Sequence, residues 1–162
     1  MNVARKVFTA AESPGALAQF YAEEWGWFLF PIKPMSKSPA LVKWSIAASN
    51  DPKRIAEWWK RWPNANIGLD CGRADITVID IDRHSPDRNG QASLEILEMM
   101  YKPLPATLRS LTPMDGMHYF FTGATRNTVN ELGPGIDTRG AGGMVLLPGS
   151  RTAKGAYRWL LP

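Results

Sequence analysis

The stretch Ile76-Thr77-Val78-Ile79-Asp80-Ile81-Asp82 constrains what this chain can fold into more than any other. Its β-branched residues fit a pleated strand. Two carboxylates then follow two residues apart, so Asp80 and Asp82 project from one face about 6.6–6.8 Å apart along the chain. At an effective dielectric of ~20 that spacing costs on the order of 2–3 kcal/mol in repulsion, before any desolvation. A divalent cation removes the penalty, and hard cations such as Mg²⁺ are commonly held by one or two carboxylates together with substrate phosphates. The pair is therefore a candidate metal site. Taken alone, it also reads as a strand end that runs into the solvated turn Arg83-His84-Ser85-Pro86.

The rest of the chain supplies elements around this strand. Ser13-Pro14, followed by Leu17, Phe20, Tyr21 and Trp25, predicts a helix with a serine N-cap that Gly26 ends. Residues 27–32 form an apolar run of strand length. Asp51-Pro52 opens a second helix, with Ile55, Trp58, Trp59 and Trp62 on one side and Pro63 as its stop. A short strand is expected at 67–69 and a third helix over 92–101, with Leu94, Leu97 and Tyr101 on its buried side. Beyond Pro105 the pattern turns to strands and glycine turns, at 107–111, 117–121, 136–139, 144–147 and 157–160. Helices alternating with strands early, then a meander, predict an α/β or α+β fold with a mixed sheet.

Length and composition bound the class. The 162 residues suit one domain, and 44% hydrophobic with 21% charged residues is ordinary for a globular protein. One cysteine, Cys71, excludes an intramolecular disulfide and a cysteine-based zinc cluster, so a reducing cytoplasm is the expected location. With Asp70 and Gly72 beside it and no histidine partner evident, it reads as a buried structural thiol. No apolar stretch approaches the ~18 residues of a membrane span. The net charge of +4 fits contact with a polyanion without requiring it. Neither a Gly-x-x-x-x-Gly-Lys-Ser/Thr loop nor a Gly-x-Ser-x-Gly elbow is present, which argues against a P-loop ATPase and a serine hydrolase.

Three further places could carry chemistry. In Gly116-Met117-His118-Tyr119-Phe120-Phe121, alternation puts His118 with Phe120 on one face. That imidazole could donate to a phosphate, or it could be a hydrogen-bonded core residue. Gly116 either admits a ligand close to the backbone or serves a hairpin turn. Asp137 and Arg139 share a face two residues apart and could touch a metal and its bound phosphate, or form a surface ion pair worth less than ~1 kcal/mol. Lys37, in Lys37-Ser38-Pro39, reads by itself as a solvated lysine. The tryptophans of the second helix read as core or as a cover for the sheet.

The order of these motifs carries more than any one of them. Trp27-Phe28-Leu29-Phe30-Pro31, Lys37-Ser38-Pro39, Trp44, Asp51-Pro52, Asn66-Ile67-Gly68, Ile79-Asp80-Ile81-Asp82, Leu104-Pro105, Gly116-Met117-His118, Gly135-Ile136-Asp137-Thr138-Arg139-Gly140 and Tyr157-Arg158-Trp159 follow one another. This series resembles the bifunctional primase-polymerase (Prim-Pol) domain of the archaeo-eukaryotic primase superfamily, found in plasmid and phage replication proteins. The resemblance runs from about Trp25 to Trp159.

It implies an α/β unit packed with an RRM-like sheet around a central cleft, and template-directed nucleotidyl transfer for primer synthesis and DNA extension. Asp80 and Asp82 match the family's first acidic motif, His118 its histidine motif and Asp137 its third acidic motif. These residues are thereby implied as catalytic, and the three aspartates as ligands of two divalent cations, Mg²⁺ or Mn²⁺. Lys37, Gly116, His118 and Arg139 are implied in binding the nucleotide. A single-stranded DNA template and nucleoside triphosphates are the implied partners, with a helicase domain in a longer parent protein of which 1–162 would be a single-domain fragment. No membrane is involved, and a phage-encoded chain would work in the host cytoplasm. Met114-Asp115-Gly116 replaces the family's usual Ser-Gly-Gly turn. That departure motivates an alternative, a non-catalytic single-strand or origin DNA-binding module; a metal-dependent nuclease would use the same carboxylates.

Overall fold

A computed structural model describes residues 12–160. Two long helices begin at the expected caps, while the third starts at Gly90, two residues before the expected Ala92, with Asn89 as its cap. Ser13 Oγ accepts from the Ala16 N–H and Pro14 fills the first turn of α1 (Pro14–Trp25), which Gly26 closes in the left-handed conformation. After β1 (Leu29–Ile32) come a one-turn helix absent from the sequence reading, α2 (Trp44–Ala47), and α3 (Pro52–Arg61), capped by the Asp51 carboxylate. The chain continues through β2 (Asn66–Asp70), β3 (Ile76–Ile81), the small hairpin β4 (Arg83–Ser85) and β5 (Arg88–Asn89), and α4 (Gly90–Met100). The remainder is β6 (Leu108–Leu111), β7 (Met117–Thr122), β8 (Thr128–Val129), β9 (Ile136–Arg139), β10 (Met144–Leu146), the hairpin β11 (Arg151–Thr152) and β12 (Gly155–Ala156), and β13 (Arg158–Leu160).

The strands build a three-stranded sheet, β1-β2-β10, and a six-stranded sheet, β13-β6-β7-β3-β9-β8. The α+β class is as expected. The mixed sheet is not, because every ladder in both sheets is antiparallel. The reason lies in the crossover: α4 carries the chain from β3 to β6 with one strand's width between them, and β7 fills it. Strands that run the same way therefore never become neighbours. The order β6-β7-β3-β9 is the split β-α-β arrangement of an RRM-like sheet. Its second crossover, between β7 and β9, carries β8 and loops instead of a helix.

One apolar core joins the two sheets. Leu17 and Tyr21 of α1 and Ile55 and Trp59 of α3 pack with Leu29, Ile67 and Leu69, and with Val78 and Phe120 of the larger sheet. Trp27 stacks on Phe120 at 5.6 Å between ring centroids. The Tyr21 hydroxyl donates to the Pro148 carbonyl and accepts from the Trp159 indole N–H at 2.8 Å, which ties α1 to β13. The tryptophans of α3 are core and cover, as read: Trp59 is buried, and Trp58 and Trp62 pack against the same core. Cys71 is buried there too, and burial first, then the Asp70 charge, pushes its thiol up to about 12. The opposite face of the six-stranded sheet is covered by α4, with Ile81, Leu94 and Ile136 buried between them. Tyr101, expected on the buried side of this helix, lies past its end at Met100 and is 77% exposed. Among the described residues no helix is long and apolar enough to cross a membrane.

Candidate nucleotide and metal site

Strand register gathers the candidates. Asp80 on β3 stands opposite His118 on β7 and, on its other side, opposite Asp137 on β9. Ser110 on β6 extends the line as the partner of His118. Residues directly opposite share a face, so Ser110, His118, Asp80 and Asp137 form one row across four strands. Two residues back on the same face, Val78 and Phe120 belong to the core. The face thus changes from apolar to ionisable within one pleat.

His118 Nε2 lies 3.3 Å from Asp80 Oδ1, with the two side chains only 5% and 16% exposed. Burial alone would push the Asp80 carboxyl up. The charge and hydrogen bond of His118, and then the charges of Arg139 and Lys37, outweigh it and hold Asp80 below the usual carboxylate range. Lys37 is exposed, in the loop after β1, yet its charge reaches the row.

Asp137 is engaged at both oxygens. Oδ2 accepts from Arg139 Nη2 at 2.7 Å and Oδ1 from the Asn130 N–H at 3.0 Å. Asn130, at positive φ, is itself held by the Gly135 N–H. The expected same-face relation of Asp137 and Arg139 is therefore present as an ion pair, with Arg139 32% exposed at its side chain.

Asp82 follows the last residue of β3, and a backbone clamp fixes it. Its N–H donates to the Gly135 carbonyl and its carbonyl accepts from the Gly90 N–H, both at 2.8 Å. Only glycines fit this clamp: a Cβ on Gly90 would lie 2.2 Å from Gly135 O, and Gly135 has φ +80°. The Tyr157 phenol is raised by burial and then by the charges of Asp80 and Asp82, and its ring lies 5.9 Å from that of His118. Both carboxylates of the acidic pair thus act on one neighbourhood. Gly116 has a packing reason of its own, since a Cβ there would meet the Ile81 carbonyl at 2.5 Å. Its approach to the end of β3 helps seat His118 opposite Asp80.

Among the described residues, no three His, Cys, Asp or Glu side chains stand in an arrangement that could hold a metal ion. β3 and β9 bring Asp80 and Asp137 side by side, while the Asp137 oxygens are committed to Arg139 and Asn130. Arg139 and Lys37 bring positive charge to the row, His118 brings a hydrogen-bond donor, and the carboxylates are hard oxygen donors. Sequence reading missed three participants: Ser110, Asn130 and Tyr157. Counting back from the β6–β7 hairpin, whose ends pair as Leu111 and Met117, would have placed Ser110 beside His118. Tyr157 stands only within the motif Tyr157-Arg158-Trp159 and not as a site residue, and no local signal marks Asn130.

A search of the curated proteins finds no significant relative. Compared with the models of known families, residues 18–162 match Prim-Pol, the bifunctional DNA primase/polymerase, N-terminal family.

Proposed function

Since the chain belongs to the Prim-Pol family of bifunctional DNA primase/polymerase N-terminal domains, we propose that it is a metal-dependent nucleotidyltransferase that makes and extends primers on a single-stranded DNA template. The observation that carries this reading is the register row, in which His118 and Asp137 flank Asp80 on one buried face. Replication of a phage or plasmid genome, with a helicase elsewhere in the parent protein, is the setting we propose for it.

The donor set fits divalent cations in kind. Asp80, Asp82 and Asp137 do not stand as a ready three-donor group among the described residues; on this reading they are the side chains that would hold Mg²⁺ or Mn²⁺. Bound there, such ions lower the pKa of an attacking 3′-hydroxyl and neutralise departing pyrophosphate. The chain's own residues bind and orient. Arg139 and Lys37 would supply positive charge to the triphosphate. His118 donates from Nε2 to a phosphate oxygen whose charge grows in the transition state, in a site of low exposure where such a bond is strongest. Gly116 keeps the β6–β7 turn close to the end of β3, beside the phosphates. Basic side chains outside the row track the template, so binding weakens as salt rises.

Primer extension tests the proposal. Mg²⁺- or Mn²⁺-dependent incorporation on a primed or unprimed single strand is expected, with its loss in Asp80→Asn and Asp82→Asn proteins of unchanged circular dichroism. Undiminished incorporation by those variants would refute it. A second reading, a non-catalytic single-strand or origin DNA-binding module, is favoured by one observation, the engagement of both Asp137 oxygens. Template binding without cation-dependent nucleotide binding would select it.

A further inference from the structure

We propose that Ser110 is a positioning residue for His118: its hydroxyl bonds the imidazole Nδ1 and holds the ring in place, so that Nε2, whose hydrogen the Asp80 carboxylate selects, stays aimed at Asp80. Two side-chain atoms in the row are buried without a hydrogen-bond partner among the described residues, and they are Ser110 Oγ and His118 Nδ1. Ser110 is fully buried and His118 is 4% exposed. They are register partners on neighbouring strands, a placement that sets Cβ atoms about 4.5–5.5 Å apart. A serine hydroxyl reaches across that gap by rotation about χ1. The other register neighbour of Ser110 is Trp159, whose indole N–H is committed to Tyr21.

The chemistry of the two atoms is complementary. A hydroxyl both donates and accepts. It donates to Nδ1 of a neutral imidazole and accepts from Nδ1–H of an imidazolium. In either state Nε2 carries hydrogen. The form disfavoured is the neutral tautomer with its hydrogen on Nδ1, which would set a bare Nε2 lone pair 3.3 Å from a carboxylate oxygen. In the functional reading above, on which the consequence for activity rests, nucleotide binding would turn that same Nε2 hydrogen from Asp80 to a phosphate oxygen. Ser110 would then act on catalysis without touching substrate.

Nitrogen-15 NMR of histidine-labelled full chain, without nucleotide or cation, tests the bond. The signals of the other histidine, His84, are removed with His84→Gln. At a pH high enough for the spectrum to show a neutral ring, we expect a single Nε2–H form in the wild type with Nδ1 displaced as a hydrogen-bond acceptor, loss of that displacement in Ser110→Ala, and its return in Ser110→Thr. In primer extension, Ser110→Ala should lower kcat about 3- to 10-fold, the worth of one net hydrogen bond, with little change in nucleotide KM, and Ser110→Thr should recover it. A wild-type spectrum without the displacement, or one unchanged in Ser110→Ala, overturns the inference; the wild-type spectrum decides alone should Ser110→Ala not fold. A protein that shows the displacement but incorporates no nucleotide refutes the functional reading and leaves the bond standing.

Discussion

The two faces of β3 make opposite use of one strand. Toward α4, Ile81 is buried with Leu94 and Ile136, and Ile79, Met117 and Tyr119 pack against them. Toward the smaller sheet, Val78 joins the core, but the next side chain on that face is Asp80, flanked by His118 and Asp137. The backbone ladder is the same for both faces; the side chains differ in what they contribute. The α4 face stabilises by burial. The other face bears the cost of desolvating a carboxylate, offset by His118, Arg139 and Lys37, and buries two neighbouring polar atoms, Ser110 Oγ and His118 Nδ1. Ionisable groups with perturbed titration concentrated on one face support the proposed site there.

That contrast can be broken by exchanging which property each face controls. The largest expected effect is on chemistry: Asp80→Asn should lower incorporation about 10²- to 10³-fold, as removal of one transition-state contact does, with a thermal unfolding midpoint close to the wild type. Conversely, Ile81→Ala, on the α4 face, should cost about 2–5 kcal/mol of stability in urea unfolding and leave incorporation per folded molecule unchanged. A variant of either face that shows the other's phenotype would erase the distinction. Arg139→Gln should weaken nucleotide binding about tenfold, from the loss of a charged hydrogen bond, measured by fluorescence titration. Its effect on stability should stay below ~1 kcal/mol, because the pair it breaks is partly solvated.

The smallest effect sharpens the comparison through pH. Asp80 has a folded pKa below its unfolded value of about 3.9. Its contribution to stability is therefore present above that value and lost as pH falls through the folded pKa. The stability difference between wild type and Asp80→Asn, from urea titrations, should shrink as pH falls below about 4. A difference that grows on acidification would mean that the His118 contact does not hold the carboxylate in its charged form.

Much of this was legible in the sequence because caps and alternation are local. Ser13-Pro14 and Asp51-Pro52 start helices as written, and Ile136–Arg139 is a strand at the expected bounds. The alternation around His118 correctly sends it with Phe120 to one side and Met117 and Tyr119 to the other. What failed depends on distant pairing. The mixed sheet gave way to antiparallel ladders because β7 inserts between β3 and β6, a choice that no residue of β3 announces. Tyr101 kept the apolar spacing of α4 but fell beyond its end. At the site, the side-by-side placement of Asp80 and Asp137 follows the motif order, whereas the hold on Asp137 by Arg139 and Asn130 is a matter of register and of a loop residue at positive φ.

The central claim is that the row on the smaller-sheet side of β3 binds cations and nucleotide together. Isothermal calorimetry of a nucleoside triphosphate with and without Mn²⁺ tests it most directly, on the wild type, Asp80→Asn, Asp137→Asn and, from the opposite face, Ile79→Val. Binding that requires Mn²⁺, persists in Ile79→Val and vanishes in both aspartate variants is the predicted result. Equal binding by all four proteins, or binding indifferent to Mn²⁺, would contradict it.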